Sequence, residues 1–431
     1  MNRLMLATGP TLEEHVKAYG PLPPTDGRAK DQPGRLIDEI EKSGLRGRGG
    51  GWFPTHVKFR AVVDSSAGRS RISRTRRPVL IANGMEGEPA SSKDAVLLAA
   101  SPHLILDGME AAATTIGATE AFLAIHRGSP VIEGVQRALA ERPSGPVAIT
   151  LVTPPARYVA SEESALSNWV GEGRALPVHP DRPFQRGAAG RPTLVQNVET
   201  LAHLALIARH GGEWFASVGD PAAPGTTLVS VGGAVATPGV IEVPTGTPVR
   251  ELLERAGGAT APVLGVLTGG YGGSWMSADA ALAATWDPSS LQAGGGTIGA
   301  SILWAVGGDV CPLQEMDAVV EWMAGESAGQ CGPCMFGLPS LSDDLHAVAV
   351  APADDLALKR LDTRLGLVAG RGGCKHPDGV ARFVATGLET FSEETALHAE
   401  GSCSSASTTP LLLPVPSARD HFADPDGRDF R

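Results

Sequence analysis

The chain has 431 residues and 47 acidic against 36 basic side chains, a formal net charge of -11, which speaks against nucleic acid as a partner. That length is too great for one core and predicts two or three domains. No apolar run approaches the roughly eighteen residues a membrane helix needs, and five cysteines, an odd number in a long chain, argue against a secreted disulfide scaffold. The first twenty residues lack a signal-peptide pattern, so the expected location is cytoplasmic.

Residues 36–41 read as a short amphipathic helix leading into a glycine run, S-G-L-R-G-R-G-G-G-W-F-P-T-H-V-K, at 43–58. Gly44, Gly47, Gly49, Gly50 and Gly51 remove the Cβ atoms that keep a backbone off a ligand. Arg46, Arg48 and Lys58 add fixed positive charge, and Pro54 ends the flexible stretch. Bare amides beside cations form an anion cradle, suited to a nucleotide or flavin phosphate. The run is not a Walker A loop, since no Gly-Lys-Ser/Thr follows. An RNA-binding RGG box conflicts with the charge, and a mobile linker is the plainer alternative. Arg69 to Arg77 holds five arginines, read as a solvated loop or a docking patch for an acidic electron carrier.

Val79 to Ala82 is an apolar run suited to a buried parallel strand. Ligands of open α/β sheets gather at the carboxyl ends of strands, where Asn83, Glu86 and Glu88 follow. Tyr158 to Ala165 repeats the plan with Glu162 and Glu163, and Arg191 to Leu201 adds Gln196 and Asn197. Taken singly, each cluster also fits a capped helix start.

Apolar runs alternate with helical segments to about residue 225, as in a doubly wound sheet, and 219–225 reads as a linker. The next stretch has strand alternation with a Pro238-Gly239 turn and then a helix over 248–256, the pattern of a β-grasp module. A helical bundle should close the chain, with Leu313, Met316, Val320 and Met323 at helical spacing facing its core. Beyond them lie Cys331 and Cys334 in C-G-P-C, then Cys374 two residues before His376. Thiol exchange, a structural zinc and an iron–sulfur cluster compete for these thiols.

Four segments in this order, G-L-R-G-R-G-G, N-x-x-E-G-E-P, E-E-S-A-L and N-V-E-T-L, resemble the FMN- and NADH-binding flavoprotein subunit of respiratory complex I and of related soluble dehydrogenases. The resemblance spans roughly residues 35–385. It implies a Rossmann-like flavin domain over 1–225, a β-grasp, soluble-ligand-binding domain over 226–308, an iron–sulfur helical bundle over 309–395 and a disordered tail over 396–431. It also implies FMN, an iron–sulfur cluster (4Fe-4S, or 3Fe-4S) and NADH as substrate. Gly47, Lys58, Asn83, Glu162, Gln196 and Asn197 would hold FMN, together with the neighbouring Arg48, Gly49, Gly50 and Glu86. Phe53, Glu88, Glu163 and Phe184 would shape the nicotinamide side. Cys331, Cys334 and Cys374 match three of the family's four cluster cysteines.

The chain departs from the family pattern at named positions. Ala328 replaces the first cluster cysteine, leaving His376, then Cys311, then Cys403 as fourth-ligand candidates. Met85 replaces an aspartate, Ala61 an aromatic and Trp52 a glycine, and the lysine expected before Pro183-Phe184 is absent, with Arg182 nearby. These changes should weaken dinucleotide recognition, with Trp52 either crowding the entry face or offering a stacking ring. The expected activity is hydride transfer from NADH to FMN, then single-electron transfer through the cluster to a ferredoxin-like or other redox protein, within a larger complex. A relay fed by a protein donor and a non-enzymatic scaffold are the alternatives.

Overall fold

A computed structural model describes residues 2–22, 32–67, 77–350, 355–405, 412–416 and 430. Most of the arginine patch, residues 69–76, lies outside the described residues, as do most positions of the tail beyond 405.

Four short strands form the first sheet: β1 (Val79–Asn83), β2 (Glu120–Ala124), β3 (Ala148–Val152) and β4 (Thr193–Asn197). They are all parallel, in the order β3-β2-β1-β4. Alternate residues of a strand face opposite sides of its sheet. Leu80, Ala82, Leu123 and Leu194 therefore enter a core shared with the helices Pro102–Ile116 and Val198–His210. Val79, Ile81 and Val195 face a second core with Val159 and Leu166. Covering both faces lets β1 carry an unbroken apolar run. Register sets Ala82 opposite Gln196 and Asn83 opposite Asn197, so polar side chains collect at one strand end between β1 and β4.

A second sheet follows: β5 (Thr226–Gly233), β6 (Gly239–Pro244), β7 (Val263–Thr268), β8 (Ser274–Ser277) and β9 (Ile302–Gly307). Its order is β6-β5-β9-β7-β8, antiparallel except where β5 and β9 pair in parallel. The helix Val249–Arg255 begins just after Pro248, which supplies no amide donor at the helix start. The N-terminal segment is tied to this sheet, because the Arg3 and Leu4 amides donate to the buried Glu242 carboxylate at 2.8–3.1 Å.

The remaining helices include Pro312–Gly325, Leu338–Ala349, Asp355–Val368, His376–Thr390 and Ser392–Ala399. Leu313, Met316, Val320 and Met323 are all buried in their shared core. Disorder from 396 onward does not hold for the described tail. The helix Ser392–Ala399 runs through that point, Leu413 is buried, and the Leu412 and Leu413 amides donate to Glu315 at 2.7 and 2.8 Å. Leucines inside the Ser/Thr-rich composition supply the apolar anchor.

Candidate functional site

The glycine run is a bent loop closed on itself. The Gly47 amide donates to the Phe53 carbonyl at 2.9 Å and the Thr55 amide to the Leu45 carbonyl at 3.0 Å. A Cβ on Gly49 would stand 3.0 Å from Asn197 Cβ, so glycine lets the loop touch the end of β4. Cβ atoms on Gly50 and Gly51 would meet no protein atom within 4 Å, and both are exposed. The loop thus presents bare backbone to open space beside the strand ends.

Arg48 is fully buried and does not face that space. Its guanidinium donates to the Pro224 and Thr226 carbonyls at 3.1 Å each, and its amide donates to Thr200 Oγ1 at 2.8 Å. Arg48 therefore supports the loop from behind, a correction to its reading as a cation for the ligand. Lys58, at the start of the helix Thr55–Ala67, is paired with Glu163 at 2.6 Å, both partly exposed. Phe53 is about half exposed at the loop's rim.

The strand ends carry the amide side chains. Asn83 Nδ2 donates to the Ser161 carbonyl at 2.8 Å, and Asn83 Oδ1 accepts from the Met85 amide at 3.2 Å. Asn197 caps the helix Val198–His210 through the Glu199 amide and donates to Asp94 Oδ2 at 2.7 Å. Gln196 is buried, yet its Nε2 has no hydrogen-bond partner among the described residues. A buried donor left unpaired costs about 1–3 kcal/mol, which a ligand acceptor would remove. Gln196 and the open glycine face fit a flavin on this observation.

Other expected ligands are already engaged. Glu86 caps the helix Lys93–Ala100, accepting from the Asp94 and Ala95 amides at 2.9 and 2.8 Å and from Ser91 at 2.7 Å. Its strand-end position drew it into the site reading; a helix start consumes its carboxylate. Glu162 likewise caps the helix Glu163–Glu172 through the Ser164 and Ala165 amides. Burial, opposed by those bonds, holds its carboxyl above the ordinary range.

Glu88 sits at a junction between domains, accepting from Tyr158 Oη at 2.8 Å and from the Tyr271 amide at 3.0 Å. Burial pushes its carboxyl up to about 7. Gly270, at φ +95°, makes room for it, because a Cβ there would fall 2.7 Å from the carboxylate. Phe184 packs against the core beside the first sheet. Met85 is buried among Val79, Ile81 and Val159. Trp52 neither crowds an entrance nor offers a free ring: it is 5% exposed, and its Nε1 donates to the Gly299 carbonyl at 3.1 Å.

Sequence reasoning missed the charged group beneath the loop. Lys93 lies 2.6 Å from Asp94 and 2.9 Å from Glu199, all buried. Glu199 Oε1 also accepts from the Leu228 amide of β5 at 2.9 Å. Burial would raise the Glu199 carboxyl, but Lys93, His203 and Arg48 bring it down to about 2. The signal was present, since S-S-K-D and N-V-E-T-L both contain these residues; nothing in either motif says that they meet.

The segment 326–332, the helical turn Pro333–Gly337 and the loop 370–375 bring Cys331, Cys334 and Cys374 together. Burial would raise the Cys331 thiol, but backbone hydrogen bonds with Gly373 and Cys334 leave it below its ordinary value. Cys334 is pushed up to about 12 by burial and by the charges of Cys331 and Cys374. Cys374 is raised by burial, and Glu162 and Cys331 add to the effect. Three thiols whose anionic forms repel one another suit a cationic iron–sulfur core that would neutralise them. His376 is buried; its Nε2 bonds the Met323 carbonyl at 2.9 Å, while Nδ1 has no partner among the described residues. With the proton on Nε2, the Nδ1 lone pair is free to coordinate. Cys311 and Cys403 belong to a different cluster, with Glu394 and His398, which removes both as fourth ligands here.

Three family models match the chain: the Nuo51 FMN-binding domain at residues 40–206, the SLBB domain at 228–268, and the NADH-ubiquinone oxidoreductase-F iron-sulfur binding region at 314–398. The second NADH-quinone oxidoreductase-F protein of Rhizobium meliloti (strain 1021) is 30% identical over 386 residues, covering 85% of this chain and 89% of its own. The NADH-quinone oxidoreductase-F protein of Streptomyces coelicolor (strain ATCC BAA-471 / A3(2) / M145) is 30% identical over 385 residues, 86% of this chain and 84% of its own. Among solved structures, NAD+-reducing NiFe hydrogenase in the H2-reduced state superposes with a TM-score of 0.75 at 27% identity, over 94% of this chain and 67% of that one.

Proposed function

This chain belongs to the NADH-quinone oxidoreductase-F family, and on that premise we propose that it takes reducing equivalents from NADH through FMN and an iron–sulfur cluster to a partner redox protein. FMN held there would supply hydride acceptance and single-electron release, chemistry that side chains lack. The chain's own residues position and insulate. Gly49 and Gly50 offer backbone amides from a loop that the Gly47 amide closes onto Phe53, Asn83, Gln196 and Asn197 supply oriented amide groups, and Lys58 supplies a cation. Phe53 and the Lys58–Glu163 pair line the side open to a dinucleotide.

The carrying observation is the reach of Tyr158, just before Glu162, to both centres. Its Oη donates to Glu88 at 2.8 Å, its amide donates to Glu326 at the head of the cysteine segment at 2.7 Å, and its ring lies 5.3 Å from that of His376, so the flavin and cysteine segments adjoin. Cys331, Cys334 and Cys374 hold the cluster, with His376 Nδ1 as fourth ligand. The second sheet, with its parallel β5–β9 pair, serves as a β-grasp spacer, and the helices from 312 onward form the cluster-bearing bundle. The acceptor is a ferredoxin-like or other redox protein within a larger assembly in the cytoplasm, where five free cysteines stay reduced.

The test is one anaerobic preparation with flavin and iron counted and NADH titrated. Bleaching of both flavin and cluster absorption is expected. Bound flavin that NADH fails to bleach, while reduced ferredoxin bleaches it, would replace this reading with a relay fed by a protein donor.

A further inference from the structure

Cys311, Glu394, His398 and Cys403 bring four ligand atoms within 4.8 Å of one another. All but Cys403 are buried, and Cys403 is partly so. Cys311 caps the helix Pro312–Gly325, and Glu394 and His398 share one face of the helix Ser392–Ala399 at i, i+4. Cys403 lies just past that helix. We propose that these four side chains form a structural zinc site, separate from the iron–sulfur centre.

Tetrahedral zinc has bonds of about 2.0–2.3 Å to nitrogen, oxygen and sulfur, so its ligand atoms stand about 3.3–3.8 Å apart. Cys311 Sγ is 3.4 Å from His398 Nε2 and 3.8 Å from Glu394 Oε1, and those last two atoms are 3.2 Å apart. Three edges of a tetrahedron are therefore already laid out, with Cys403 for its fourth corner.

The supporting contacts fit as well. His398 Nδ1 donates to the Val348 carbonyl at 3.2 Å, which leaves Nε2 unprotonated toward the cluster. Glu394 Oε1 accepts from the Ser404 amide at 3.0 Å, orienting the carboxylate and fastening the segment that carries Cys403. Two thiols, an imidazole and a carboxylate are a borderline-soft set suited to zinc. On binding, both thiols lose their protons to solvent as the Zn–S bonds form, and the imidazole stays neutral. The two thiolates and the carboxylate then outweigh the cation by one charge. Four protein ligands leave no open position, so the metal is structural. It would pin residues 400–405 and the helix Ser392–Ala399 to the helix leading to the cysteine loop.

The test uses the untagged, full-length protein, purified without metal-affinity steps from zinc-supplemented cells. About one zinc per chain is expected, with zinc-edge X-ray absorption showing two sulfur and two nitrogen or oxygen neighbours. In Cys403→Ser and Glu394→Gln variants, zinc should fall to background while iron and flavin stay at wild-type levels. Where a variant loses iron and flavin together with zinc, the wild-type absorption spectrum decides. Zinc far below one per chain after zinc salt is added would overturn the proposal. So would three sulfur neighbours, which would place zinc on Cys331, Cys334 and Cys374, a Cys311–Cys403 disulfide by peptide mass, or unchanged zinc in both variants.

Discussion

The Lys93 ammonium lies 2.9 Å from the Glu199 carboxylate, with neither side chain more than 3% exposed. The pair joins the helix after β1 to the helix after β4, directly beneath the glycine loop, and Glu199 also holds the Leu228 amide of the second sheet. Removing one partner strands a buried charge, at a cost of about 3–5 kcal/mol. Lys93→Met should therefore lower the melting temperature sharply and reduce bound flavin. A variant that melts like wild type would show that the pair does not anchor the loop.

Glu199 also sets an acid limit. Its folded value of about 2 lies below the ordinary 4.5, so its contribution is fully present above pH 4.5 and is lost as pH falls through 2. Glu199→Gln should flatten the acid side of the stability profile. Denaturant melts from pH 6 downward measure this.

Glu88 works in the opposite direction. Burial raises its carboxyl to about 7, so the contribution of the protonated form is complete below 4.5 and is lost as pH rises through 7. Glu88→Gln keeps a carbonyl acceptor for the Tyr271 amide and turns its Nε2 donor toward Tyr158 Oη, which then accepts, and it should remove this neutral-range decline. An unchanged slope between pH 4.5 and 7 in the variant would assign the decline to another group.

These two acids show what the sequence makes legible. The apolar run at Val79–Ala82 and the polar residues after it place a parallel strand and its polar carboxyl end correctly, because both signals are local. Glu86 and Glu88 look alike in N-x-x-E-G-E-P, yet one caps a helix and the other crosses to Tyr271 of another domain. Lys93 and Glu199 stand in separate motifs, and only β1–β4 pairing brings them together. Long-range partners carry no local periodicity, so the buried charge group and the Cys311 cluster were not visible as units.

Trp52 illustrates the same limit at the loop itself. Its ring stacks 4.3 Å from the Arg48 guanidinium and bonds the Gly299 carbonyl, so it fastens the loop to the second sheet. Trp52→Gly would relieve a strained φ of +45°, worth about 1–3 kcal/mol. Losing the buried ring costs about 3–5 kcal/mol, so net destabilisation is expected. KM for NADH should stay within about twofold if no other group moves, a shift below 0.5 kcal/mol. A large fall in KM with intact stability would restore the ring to the dinucleotide entrance.

Lys58 separates stability from binding. Its pair with Glu163 is partly exposed on both sides, and such pairs contribute about 0–1 kcal/mol. Lys58→Met should leave the melting curve nearly unchanged while flavin occupancy falls about tenfold or more, as expected when a charge-assisted contact to a bound anion is removed. Equal flavin content in the variant would make Lys58 a surface cation.

The fourth cluster ligand is testable by isosteres. Glutamine places its amide nitrogen near the Nε2 position, so His376→Gln preserves the bond to the Met323 carbonyl while deleting the Nδ1 lone pair. Asparagine does the reverse, reaching the Nδ1 position and abandoning Met323. If Nδ1 ligates iron, His376→Gln should drop the iron count from about four toward about three per chain and give a three-iron signal in electron paramagnetic resonance. His376→Asn should keep more iron but melt earlier, because the Met323 carbonyl loses its buried donor. Flavin bleaching by NADH should persist in both, since hydride transfer precedes the cluster. If His376→Gln instead keeps a wild-type cluster spectrum, the unpaired Nδ1 is not a ligand, and iron is held by Cys331, Cys334 and Cys374 with a fourth group from elsewhere.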